Sequence, residues 1–376
     1  MSKIRNMILL IIVGAVFWHF YGDTFDRAGV LGVFDEVSSD LNGIKENPKI
    51  ARAVDSITTE LDLLFDTLTE NIEDQEQTNQ SGPEKPELEH PSEQLFSIHN
   101  IELGDMRSDV EEQVGLPKRS TMNEYGTNWY AYHENYHNFF MVAYNTDDEV
   151  VGLYTNQALV TSLEGINFDS TRESVLSKLG EPLKAIRKGF VNYQIANDQV
   201  LDMFLIHDYY VTIFYDKHEN STVTAVQIIS EELENQKDGY YAEPNTALKE
   251  GFEYQLFDLT NAARVNHDLP VLSWDESVRM TARDHSKDMA INNYFSHTNL
   301  EGQSPFDRMT EDNISYRMAG ENLAAGLSSS IFAHEGLMNS IGHRESILQP
   351  GFESLAVGVA FDAESKPFYT ENFLAK

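Results

Sequence analysis

The chain has 376 residues, no cysteine, and a formal net charge of −34 against 41% hydrophobic and 11% aromatic residues. That length suits two or three domains better than one core, and the apolar share is enough to bury ordinary cores, which argues against global disorder. The acidity argues against a nucleic-acid partner, since phosphate backbones need clustered Lys and Arg, and the missing cysteines exclude disulfides, thiolate metal sites and a thiol nucleophile.

At the amino end Lys3 and Arg5 precede an apolar run over 7–18 that continues through His19, Phe20 and Tyr21. A rise of about 1.5 Å per residue makes this short for a ~30 Å hydrocarbon core. It ends, however, in bulky aromatics rather than in the small residues of a cleavage site, so 1–22 reads as an uncleaved signal anchor and membrane helix. The basic flank before it, with Asp23 and Asp26 after it, puts the rest of the chain outside the membrane. Secretion after signal cleavage is the alternative.

Residues 23–94 read as an amphipathic helix followed by an acidic linker. Ile50, Val54, Ile57, Leu61, Leu64 and Leu68 keep one apolar seam on a helix over 50–68, which serves packing within the chain or a homodimer. From 71 to about 93, Glu, Gln, Ser, Asn and Pro dominate, the composition of a flexible linker.

Residues 95–237 contain an internal repeat, with 101–117 matched by 166–182 at a constant offset of 65. Ile101 matches Ile166, Arg107 matches Arg172, Val110 matches Val175, and Pro117 matches Pro182. Each copy opens with a short helix stopped by Gly and then Pro, and β-rich segments follow it, so the region reads as a tandem α+β module. No catalytic pairing stands out here, and His133, Tyr136 and His137 read as a turn-rich surface loop.

From about 246 the pattern changes. Phe252, Leu256, Leu259 and Ala263 have helical spacing, and a second helix is expected from near Asp275, which is placed to cap it, to near Asn293. His285, His334 and Glu335 read as ordinary positions on helix faces, with His334 and Glu335 toward solvent. Arg344 and Glu345 read as local pairing residues.

Four blocks follow in order: Tyr294-Phe295-Ser296-His297-Thr298, Ser304-Pro305-Phe306-Asp307-Arg308, Ala319-Gly320-Glu321-Asn322-Leu323, and Gly342-His343-Arg344-Glu345. Strand-like Val357-Gly358-Val359-Ala360 and Tyr369-Thr370-Glu371-Asn372-Phe373 close the chain. In this order the blocks resemble the bacterial CAP domain of the cysteine-rich secretory, antigen 5 and pathogenesis-related-1 superfamily. The repeat region resembles the CAP-associated region found before some bacillar CAP domains.

The resemblance implies an α+β chain whose residues 246–376 form a three-layer α/β/α sandwich with a cleft of two His and two Glu. It maps His297, Glu321 and His343 onto three of those positions. The fourth position holds Ser340, and Glu335, about a turn earlier, is the candidate to replace the missing carboxylate. Two imidazoles facing carboxylates suit a borderline divalent ion such as zinc, with His297 and His343 as ligands, or a structural hydrogen-bond network.

Three functions follow as expectations. The first is a membrane-tethered, non-enzymatic binding module for a small apolar or cell-wall-related ligand. The second is a hydrolase using Glu321 with His297 and His343, and the third is an oligomerising docking protein.

Overall fold

The computed structural model describes residues 83–188, 190–195 and 199–376, and 83–376 form one compact unit. The apolar run over 7–21 and the seam over 50–68 lie outside the described residues. Among the described residues no helix is long and apolar enough to cross a membrane.

In chain order the first half runs β1 (Phe96–Ile98), α1 (Arg107–Val114), β2 (Arg119–Met122), β3 (Asn128–Glu134), β4 (His137–Tyr144), β5 (Val150–Thr155) and β6 (Val160–Ser162). It continues with α2 (Arg172–Leu179), β7 (Ala185–Lys188), β8 (Val191–Gln194), β9 (Leu201–Ile206), β10 (Tyr209–Asp216), β11 (Thr222–Ser230) and α3 (Glu231–Gln236). Seven strands form one sheet in the order β2-β3-β4-β5-β11-β10-β9, while β1 pairs with β6 and β7 with β8. The sheet is thus two antiparallel meanders, β2-β3-β4-β5 and β9-β10-β11, joined where β5 pairs with β11.

The two short helices are held alike. Val110 and Val175 are buried, and each helix ends on a glycine in the left-handed region, Gly115 at φ 81° and Gly180 at φ 82°. There a side chain would be strained. The Arg107 N–H donates to the Asp148 carbonyl at 2.8 Å, and the Arg172 N–H donates to the Ser221 carbonyl at 2.9 Å.

The end of the expected linker is tied down. The Glu102 carboxylate accepts the N–H groups of Ser92, Glu93 and Gln94 at 2.7, 3.0 and 2.6 Å. Asn138 Nδ2 donates to the Glu84 carbonyl at 3.2 Å. Composition missed this because a segment poor in apolar residues can still be ordered when side chains elsewhere satisfy its backbone.

The second half runs α4 (Thr246–Asn266), β12 (Ser273–Trp274), α5 (Glu276–Asn292), α6 (Pro305–Glu311), β13 (Met318–Ala325), α7 (Ser330–Met338), α8 (Ile341–Ile347), β14 (Ser354–Phe361) and β15 (Pro367–Ala375). Asp275 caps α5, its side chain accepting the Ser277 N–H at 3.0 Å. The sheet order is β12-β14-β15-β13, with β13 at an edge.

Strand alternation divides this sheet between two helical layers. Leu355, Val357, Val359, Tyr369 and Phe373 pack with Leu248, Phe252 and Leu256 of α4, Leu337 of α7 and Ile347 of α8. Ala356 and Leu374, on the opposite face, pack with Val278 of α5 and Met309 of α6. The result is a three-layer α/β/α sandwich. A buried ion cluster clamps it, with Glu253 of α4 bound by Arg279 and Arg283 of α5 at 2.7 and 2.6 Å.

The two halves share a core. One face of the seven-stranded sheet, including Val142, Leu153, Val211 and Ile213, packs with Val110 and Val175 of the short helices. The other face presents Trp129, Phe139, Met141, Tyr154, Phe214 and Ile229 to Leu259 and Ala262 of α4 and to Ile331 of α7. Full burial of each such side chain contributes about 1.5–3 kcal/mol, so the contact is a structural seam rather than a loose domain boundary.

Candidate functional site

Four of the five candidate residues, His297, Glu321, Ser340 and His343, gather at the open edge of the second sheet, beside β13. Glu321 comes from β13, His297 from the loop after α5, and His343 from α8, whose N-cap is Ser340. The loop carrying His297 is braced from behind. His285 of α5 is buried and its Nε2 lies 3.0 Å from the Ser296 carbonyl, while Arg308 of α6 donates to the His297 carbonyl at 2.8 Å.

His297 Nδ1 lies 2.9 Å from Glu321 Oε1, and Arg308 Nη2 lies 2.7 Å from Glu321 Oε2. The Glu321 side chain is 2% exposed and that of His297 51%, so the carboxylate is internal and the imidazole reaches solvent. Both Glu321 oxygens are therefore engaged, and the carboxylate orients His297 with Nε2 left as the nitrogen available to a ligand.

On the other side of the edge strand, His343 Nδ1 lies 2.8 Å from Ser340 Oγ. This again leaves Nε2 for a ligand. The His343 pKa is lowered, first by burial and then by the nearby His297, which favours the neutral, ligand-competent ring. Ser340, standing where a Glu was expected, thus acts on His343 directly.

Behind the cleft, Asn322 Nδ2 bonds both the His343 carbonyl and Glu371 Oε2 at 3.1 Å, and Thr260 Oγ1 donates to Glu371 Oε1 at 2.9 Å. Burial pushes the Glu371 carboxyl up to about 7. The sequence reading missed Arg308, Asn322 and Glu371 as working parts, although all three lie inside the quoted blocks. The signal for α6 was legible, because Ser304 and Asp307 form a capping box and Pro305 follows the cap, which fixes the helix carrying Arg308.

Glu335 does not join this cleft. Its carboxyl faces the first sheet, where the Tyr154 hydroxyl donates to Oε1 at 2.8 Å and Thr224 Oγ1 to Oε2 at 3.4 Å. Neither Glu335 nor His334 faces solvent; both are buried, because the first sheet covers α7.

Two more local readings are corrected by the same seam. Tyr136 is not a surface-loop residue, since its hydroxyl donates to Asp258 Oδ1 of α4 at 2.9 Å and its ring stacks on His133 at 4.2 Å. Arg344 pairs not locally but with Asp216 and, at 3.1 Å, with Glu219 of the first half.

Two Nε2 atoms, on rings held at Nδ1 by the Glu321 carboxylate in His297 and by the Ser340 hydroxyl in His343, suit a divalent ion or an anionic or carbonyl group. Among the described residues no group of three or more His, Asp or Glu is arranged to hold a metal ion by itself. A zinc ion held by His297 and His343 would thus keep open positions for a ligand or water.

The residues that build this cleft fall within a match to the CAP description, the cysteine-rich secretory protein family, over 257–373, and the preceding sheet falls within a match to the CAP-associated N-terminal description over 103–240. The protein is a bacterial-type CAP-domain protein. The membrane protein YlbC of Bacillus subtilis (strain 168) is 25% identical over 324 residues, covering 80% of this chain and 88% of YlbC. YkwD of the same organism is 40% identical over 125 residues, covering 33% of this chain and 48% of YkwD.

A solved extracellular protein with an SCP domain from Bacillus anthracis str. Ames aligns with a TM-score of 0.62 at 28% identity, covering 73% of this chain and 94% of that one. A cysteine-rich secretory protein from Staphylococcus aureus subsp. aureus Mu50 aligns with a TM-score of 0.57 at 14% identity, covering 77% and 100%, and shares the fold. In this CAP-domain protein the cleft lies within a known sandwich fold.

Proposed function

We propose that this CAP-domain protein is an extracytoplasmic, membrane-tethered binding module whose cleft takes a cell-wall-related or small apolar ligand through the Nε2 atoms of His297 and His343. The observation that carries the reading is the state of Glu321. Its two oxygens are taken by His297 and Arg308, so the carboxylate positions an imidazole rather than activating water. A divalent ion such as zinc is the natural bridge between the two rings and a polar ligand group.

The tether rests on the apolar run over 7–21 and on the name of the Bacillus subtilis relative as a membrane protein. The paired helices and meanders of the first half support its reading as a tandem repeat. Self-association through 50–68 is a further part of the proposal.

Zinc titration of the full-length chain, with peptide and wall-fragment turnover assays on wild type and Glu321→Gln, tests the function. The expected result is stoichiometric zinc binding lost in His297→Ala, with no turnover. Turnover by wild type that disappears in Glu321→Gln would establish the hydrolase instead. Membrane fractionation with amino-terminal sequencing tests the tether, and a chain beginning beyond residue 22 in the medium would refute it.

A further inference from the structure

A second cavity lies away from the CAP cleft, where the first sheet, the β7-β8 hairpin and α7 meet. It has a volume of about 160 Å³. Leu201, Met203, Phe214, Ile229, Leu327 and Phe332 form its apolar body, and the Phe214 and Phe332 rings meet edge to face at 5.3 Å. A cavity of this size holds a six-carbon ring, and one with a mouth to solvent also admits a short chain.

Its polar groups are few. Gln227 of β11 lines it, is buried, and has an Nε2 without a hydrogen-bond partner. A buried donor left unbonded is destabilising, and a ligand acceptor would supply the missing bond. Glu335 also lines the cavity, but its carboxyl is already bound by Tyr154 and Thr224.

Two lysines add the charge. Lys188 Nζ lies 2.7 Å and Lys237 Nζ 3.7 Å from Glu234 Oε1, so two ammonium groups share that carboxylate, while the buried Glu124 carboxyl also faces Lys237 and Asp238 faces Lys188. Of these five groups, Lys188, Lys237 and Glu234 are the ones that line the cavity.

We propose that this cavity binds a small anionic amphiphile, an apolar chain of about six to eight carbons ending in a carboxylate whose oxygen accepts from Gln227 Nε2. The lysines favour the anion over a cation of equal length. The site draws on both halves of the chain and stands independently of the cleft reading, since no cleft residue lines it.

The probes are octanoate and octylammonium, which share a tail and differ in head group. The full-length chain with zwitterionic nanodiscs is titrated with each while the unfolding midpoint is followed. Octanoate is expected to raise the midpoint saturably and octylammonium is not. Gln227→Leu is expected to bind octanoate about tenfold more weakly.

A diazirine-bearing octanoate maps the site on the wild-type chain without any variant. Cross-links on β9–β11 or α7, competed by plain octanoate, support the proposal. Equal shifts from both probes, undiminished binding by a folded Gln227→Leu, or cross-links confined to the loop of His297 would overturn it. The last outcome leaves the cleft reading intact, and failure of zinc to bind His297 leaves this one intact.

Discussion

The Tyr154 hydroxyl donates to Glu335 Oε1 at 2.8 Å, joining the first sheet to a CAP helix through two buried side chains. Burial outweighs that bond and pushes the Glu335 carboxyl up to about 7 from 4.5. The folded chain then holds a proton between those values that the unfolded chain has released. The stabilising contribution is fully present below pH 4.5 and is lost as pH rises through about 7. Glu335→Gln keeps an acceptor for Tyr154 and removes the titration, so its stability should fall less than wild type's between pH 5 and pH 7.5, by up to about 3 kcal/mol. Denaturant midpoints at the two values check this, and equal slopes would show that Glu335 ionises without cost.

Arg308 and Glu321 form the buried ion pair that sets His297. Arg308→Met leaves a buried carboxylate facing only an imidazole, a change that costs about 3–5 kcal/mol. Adding Glu321→Gln to it should recover most of the loss, because the stranded charge disappears. Thermal unfolding of the two single variants and the double variant measures the coupling, and simple additivity would sink the assignment.

Ser340 sits outside the hydrophobic core, so Ser340→Ala should leave the unfolding midpoint nearly unchanged. It frees the His343 ring, whose Nδ1 now meets Ser340 Oγ at 2.8 Å. Zinc affinity should fall about 10-fold or more, as for loss of other outer-sphere partners. Isothermal titration decides the matter; undiminished affinity would remove Ser340 from the site.

Gly251 lets α4 touch β2, since an added Cβ would stand 2.0 Å from the Met122 carbonyl oxygen. That oxygen belongs to the backbone of β2, so relief requires moving the helix off the first sheet. Gly251→Ala should destabilise the chain by at least about 1–3 kcal/mol and raise proteolysis within 83–240. A protease pattern like wild type's would mean that the seam can shift without opening.

The elements themselves were mostly legible. Leu256, Leu259 and Ala263 announced α4 by spacing, Asp275 announced the cap of α5, and the ordered blocks announced His297, Glu321 and His343. Partners were not legible, because side chains 13 and 24 residues apart, as in Arg308 and His297 against Glu321, meet only once α6 and the preceding loop fold over the edge of β13. Spacing along one helix offers Glu335 as a candidate for the cleft and equally as a solvent-facing position. The face it presents depends on the sheet that covers α7, which a local pattern cannot contain.

Composition and periodicity by themselves determined that this is an acidic, cysteine-free α+β chain with two differently patterned halves, and the resemblance of four ordered blocks to the CAP domain implied the set of His297, Glu321 and His343. Such features are local, written in residue type and in the periods of helix and strand. Only the tertiary structure decided that the halves share a core, that Glu335 faces Tyr154 instead of His343, and that Ser340 takes the place beside His343 Nδ1. Those outcomes turn on which apolar face buries another, and burial across more than 100 residues of chain separation, as between Tyr154 and Glu335, is a property of the packed whole.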